Sequence, residues 1–87
     1  MRKSDLILPN ATLMPKDMGL GVSRLHACMD YIYKLKGKNK LESIEPGYYG
    51  INTLITIKRF QEDNNIHITG IYDKLTRQKL REVLSCR

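Results

Sequence analysis

The chain is 87 residues long and has no tryptophan, one phenylalanine, two cysteines and three prolines. Each shortage excludes something. Two cysteines cannot staple a disulfide-rich scaffold, and Cys28 and Cys86 show neither a CxxC spacing nor a histidine partner that would suggest zinc. No segment approaches the ~20 consecutive apolar residues of a membrane span. Residues 1–20 lack the continuous apolar run of a secretory signal. If the protein acts outside a cell, its export information is expected to lie elsewhere or to have been removed. Also missing are a Ser/His/Asp order, a phosphate-loop glycine pattern and a cluster of metal-ligating types. Glu62 and Asp63 are neighbours and point to different sides of a helix, so they do not form a working acid pair. The sequence therefore nominates no catalytic residue, no metal ligand and no cofactor.

Acidic residues are also scarce: nine against fifteen basic ones, a formal net charge of +6. That balance favours anionic partners such as nucleic acid, anionic lipid or acidic wall polymers, without choosing among them. Part of the excess is Lys34, Lys36, Lys38 and Lys40, whose alternation reads as a solvated loop.

What is present is a duplication. Gly47, Tyr49, Thr53, Ile57 and Phe60 recur 23 positions later as Gly70, Tyr72, Thr76, Leu80 and Val83. Glycine permits an unusual turn. The aromatic places a large apolar face just ahead of a helix. Threonine in the first helical turn can bond unpaired backbone groups. The apolar positions that follow share one helical face. Two turn-plus-helix units are predicted.

Along the chain, residues 1–12 read as an extended or disordered lead-in and 13–87 as one domain. Pro15, Lys16, Asp17 and Gly19 form a turn. Val22, Leu25, Met29, Ile32 and Leu35 form one face of a first helix from Leu20, stopped by Gly37. Tyr31 and Tyr33 flank that face. A loop follows, with Leu41 and Ile44 as anchors. The second helix starts after Gly50, turns Leu54, Ile57, Phe60 and Gln61 inward and ends at Asn64-Asn65. Ile66, Ile68 and Ile71 form a short extended link able to pair near Tyr48. Asp73 caps a third helix whose apolar side is Leu75, Leu80, Val83 and Leu84. A Cys28–Cys86 bridge requires helix one to meet the C-terminus; the alternative is a buried Cys28 and a frayed Cys86.

Gly47-Tyr48-Tyr49-Gly50-Ile51-Asn52-Thr53 with Ile57 and Phe60-Gln61, followed by Gly70-Ile71-Tyr72, Thr76 and Leu80, resembles the three-helix type of peptidoglycan-binding domain. Gly21-Val22 and Leu25 resemble that family's first helix. Differences fall mostly in loops. Pro46 and Thr69 stand where the family usually has aspartate. His26 replaces a frequent glutamine, and Asp73 takes the place of the turn's second glycine. The resemblance implies an all-α, compact three-helix domain with ordered loops. It further implies a non-catalytic module that targets an attached hydrolase to the bacterial wall, extracellular as part of a larger protein. The implied partners are peptidoglycan or its stem peptides and a covalently linked catalytic domain; no membrane partner is expected, and nucleic acid is the less favoured alternative.

A wall binder needs aromatic faces, side-chain amides and positive charge. Tyr48, Tyr49, Asn52, Gln61, Asn64, Tyr72 and Arg77 supply them at the two turns and adjoining helix ends, as if converging on one groove. The duplication assigns Tyr49 and Tyr72 to structure first, leaving Tyr48 as the better ligand residue. Gln61 can equally bond loop backbone. Two alternatives stay open. Arg77, Gln78, Lys79 and Arg81 on the last helix suggest a helix-turn-helix nucleic-acid binder, although the link between Asn64 and Asp73 is longer than that motif's turn. A protein–protein docking module on the same fold is the other.

Overall fold

Apolar side chains at steps of three and four residues carry three helices into the core. In the computed structural model, which describes residues 7–35 and 45–85 (backbone only at 34 and 35), these are α1 (Leu20–Leu35), α2 (Ile51–Asp63) and α3 (Lys74–Ser85). Among the described residues, strand pairing is confined to two isolated antiparallel bridges, Leu13 with Tyr72 and Met18 with Tyr48. The fold is all-α, as the sequence implies.

From α1, Val22, Leu25, Cys28, Met29, Ile32 and Tyr33 enter the core. Tyr33 is thus a core residue rather than a flanking one, and its hydroxyl lies 3.4 Å from an Asp63 carboxylate oxygen. From α2 come Thr53, Ile57, Phe60 and Gln61. From α3 come Thr76, Leu80 and Leu84, with Val83 packed alongside. Leu75 was expected on this apolar side but is 49% exposed. Its neighbour Thr76 takes the inward position, and a residue one step away points elsewhere on a 3.6-residue helix. Gly37, Leu41, Ile44, Cys86 and Lys36–Lys40 lie outside the described residues.

The helix ends follow from local chemistry. Asn65 adopts φ 57° just past α2. The Asn65 N–H donates to Glu62 O (3.2 Å) and the Ile66 N–H to Gln61 O (3.0 Å). That is a Schellman closure, and asparagine tolerates its left-handed corner better than most residues. At the start of α3, the Thr76 N–H donates to Asp73 Oδ1 (2.9 Å), the expected cap.

The segment before α1 is a strap that fastens both turns. Leu13 and Tyr72 exchange two backbone hydrogen bonds of 2.9 Å. Three residues on, the Lys16 N–H donates to Tyr49 O and the Tyr49 N–H to Asp17 O. The Gly19 N–H then donates to Gly47 O. The link before Tyr72 therefore does not pair near Tyr48; both turns pair with the strap instead. The strap reaches further back as well. Leu8 packs on the core, Pro9 is buried, and the Tyr72 hydroxyl donates to Pro9 O at 2.8 Å.

Candidate functional site

The two units share the hydrogen bonds of their turns and helix starts at offset 23. Gly47 and Gly70 have φ 72° and 78°. Gly50 N and Asp73 N donate to Tyr48 O and Ile71 O. The Thr53 and Thr76 hydroxyls lie 3.4 and 3.5 Å from those same two carbonyl oxygens. Leu54 N and Arg77 N open the helices by donating to Gly50 O and Asp73 O. Tyr49 and Tyr72 are both fully buried. The Tyr49 hydroxyl donates to Gly70 O at 2.6 Å, tying the first unit directly to the second. Burial pushes both phenols well above the usual tyrosine range, so they remain donors.

Gln61 holds the second turn. Its Oε1 accepts the Thr69 and Gly70 N–H groups, both at 2.9 Å. Its Nε2 has two hydrogens for three acceptors: Thr76 Oγ1 (2.9 Å), Thr69 Oγ1 and Ile71 O (both 3.1 Å). His26 is the corresponding group for the first turn, with Nε2 at 2.9 Å from Thr53 Oγ1. The chemistry explains why the two differ. Pro46 occupies the place of Thr69 and has no N–H, so one of the two donors that a glutamine oxygen would accept is missing there.

His26 titrates below the usual histidine range because burial disfavours its cation. The folded state therefore binds its proton less readily than the unfolded chain, whose value is near 6.5. Stability from this group is complete above that pH and declines as pH falls through it. We expect His26→Gln to retain the fold and to flatten the loss of thermal stability between pH 7.5 and 5.5. Parallel melting curves for both proteins across that range would contradict the assignment.

The structure sorts the candidate residues into three groups. Tyr49, Tyr72 and Gln61 are wholly buried and bonded to backbone or to Thr76, so they cannot face a ligand. This corrects their place among the ligand candidates. Asn64 closes α2, and Arg77 lies in the first turn of α3. Asn64 Nδ2 donates to Phe60 O (2.8 Å), a helix-closing bond. Arg77 follows Thr76, which Gln61 holds. Tyr48 and Asn52 lie at the opposite end of α2. Twelve residues separate Asn52 from Asn64, about 18 Å at the helical rise.

Tyr48 is half-buried, and its hydroxyl makes no hydrogen bond to another described residue. Opposite it lies Met18, 75% exposed, and next to it Ile51, 66% exposed. The strap turn Met14–Asp17 abuts the same place. The Asp17 N–H donates to Met14 O (3.0 Å), and Asp17 Oδ2 accepts the Met14 N–H (2.9 Å). Lys16 sits at the corner with φ 81°, where this turn class favours glycine. Sequence reasoning found the turn but not Met18 or Lys16 as neighbours of Tyr48. Pairing across about 30 residues has no local signal.

Other chemistry is muted. Burial pushes the Cys28 thiol up to about 11, leaving it protonated and unreactive at neutral pH. Among the described residues no group of three His, Cys, Asp or Glu side chains could hold a metal, and no helix is long and apolar enough to cross a membrane.

No curated protein matches the chain. The family model described as "Putative peptidoglycan binding domain" matches residues 30–80, from the middle of α1 through both turns to Leu80. With more than half of its length matched and the duplicated turns in place, the chain belongs to the peptidoglycan binding domain family.

Proposed function

We propose that this chain is a non-catalytic module that holds a wall hydrolase against peptidoglycan outside the cell, and that it grips the polymer at the first turn. One observation carries the choice of surface. Of the adjacent tyrosines, Tyr49 is buried with its hydroxyl bonded, whereas Tyr48 is only half-buried. Tyr48, Asn52, Met18 and Lys16 form the proposed contact, with the aromatic ring as its centre. The net charge of +6 assists approach to wall carboxylates and phosphates. Residues 13–87 are taken as one domain, with Leu8 and Pro9 as the start of its strap.

Single-site affinity is expected to be modest and to be raised by tethering to a catalytic domain. Sedimentation with purified peptidoglycan tests the reading. The wild-type chain should pellet with the polymer, and Tyr48→Ala should weaken binding roughly tenfold, the usual scale for a central aromatic, with an unchanged melting curve. Asn64→Ala should leave binding intact. Salt-resistant retention of duplex DNA without wall binding would reverse the assignment in favour of a nucleic-acid binder.

A further inference from the structure

The two units are near copies, so the place where they differ is informative. Position 48 carries tyrosine where its counterpart, position 71, carries isoleucine. Position 50 carries glycine where its counterpart, position 73, carries aspartate. The aspartate caps its helix through Thr76 N, whereas Gly50 makes no side-chain cap bond. Gly50 is not required by backbone geometry, because its φ of −95° and ψ of −167° suit any residue. What it leaves is room. A Cβ at Gly50 would sit 3.3 Å from both Cδ2 and Cε2 of Tyr48. The glycine leaves the Tyr48 ring seated against bare backbone.

The seat is rigid. The Tyr48 N–H donates to Glu45 O at 3.2 Å, and its carbonyl accepts the Gly50 N–H at 3.1 Å. The Thr53 hydroxyl approaches the same carbonyl, and His26 holds Thr53. Met18 pairs directly across from Tyr48, and Ile51 begins the helix beside it. The exposed Met18 and Ile51 thus neighbour Tyr48 through the bridge and along the chain, with Asn52 one residue further along the helix.

We infer that the Tyr48 ring, seated on Gly50 and flanked by Met18 and Ile51, is a stacking platform for a pyranose of the glycan strand rather than a pocket for the stem peptide. This deepens the wall-binding reading and rests on it. A pyranose presents a flat face of C–H groups to the electron-rich face of an aromatic ring, with its hydroxyls directed to the rim. Apolar flanks with a side-chain amide beyond them match that distribution. A short peptide of small and charged residues offers no such face.

The experiment compares a β-1,4-linked N-acetylglucosamine tetramer with a peptide-only fragment of the wall by isothermal titration calorimetry on the full chain. The tetramer should bind, and the peptide should bind at least tenfold more weakly. Tyr48→Phe should stay within threefold of wild type, since the ring face does the stacking. Gly50→Asp should weaken saccharide binding at least fivefold, while its melting temperature stays level or rises by about 1–3 °C from the new cap. That combination separates a displaced ring from a damaged fold. Binding of the peptide alone would overturn the inference and leave wall binding standing. So would polymer sedimentation without tetramer binding, or a Gly50→Asp protein that binds normally. Loss of sedimentation with intact polymer would instead overturn the wall-binding reading itself.

Discussion

Replacing Gln61 with leucine should destabilise this domain by roughly 3–5 kcal/mol. The side chains are similar in size, so little packing changes. Lost instead are the acceptor for the Thr69 and Gly70 N–H groups and the donor to Thr76 Oγ1. Gly70 and Thr76 are buried, so water cannot readily substitute. Each orphaned buried group costs about 1–3 kcal/mol, giving a total of roughly 3–5 kcal/mol. A chain of this length has a stability on the order of 4–13 kcal/mol. Urea denaturation followed by circular dichroism reads the effect. A loss under about 1 kcal/mol would contradict the role given to this glutamine.

Gly70→Ala should cost far more than Gly47→Ala, although the two glycines are counterparts. Both have left-handed φ, and an alanine there costs about 1–2 kcal/mol in either unit. Their surroundings differ. At Gly47 the nearest group to a new Cβ is Ser23 Oγ at 3.4 Å, with α1 able to accommodate it. At Gly70 the Cβ would overlap Leu54 Cδ1 and sit 3.1 Å from Lys58 Cε. Leu54 packs against the core and cannot simply swing into solvent. Overpacking adds about 1–3 kcal/mol, so Gly70→Ala should lose roughly 2–5 kcal/mol in all. Melting temperatures of the two variants side by side check this; equal losses would mean the Leu54 contact relaxes freely.

Much of the architecture is legible in the residues because it is local. The 23-residue repeat, the glycine turns, the Asp73 cap and the Asn64-Asn65 helix end each depend on interactions within a few positions. The burial of Tyr49 and Tyr72 also follows from the repeat, since a position used twice for the same job serves the scaffold. What escapes the sequence is non-local. The strap pairs Leu13 with Tyr72 and Met18 with Tyr48 across long stretches of chain, and the weak alternation between Leu6 and Leu13 does not say what it pairs with. Leu75 and Tyr33 exchange their expected roles because neighbouring side chains decide which of two adjacent positions fills the core. The candidate site was legible only in part. Tyr48 and Asn52 lie at the start of α2, Asn64 lies at its end about 18 Å away by the helical rise, and Arg77 lies on α3. The significance of Gly50 emerges only when its contact with the Tyr48 ring is seen.

The central claim is that the polymer is held at the first turn, with Tyr48 at its centre. Amide chemical-shift mapping of the isotope-labelled chain with soluble peptidoglycan fragments tests it most directly. The account predicts that the largest shifts fall on Lys16, Met18, Tyr48, Gly50 and Asn52. Shifts gathered instead around Ile68, Leu75 and Arg77, with the first turn silent, would contradict it.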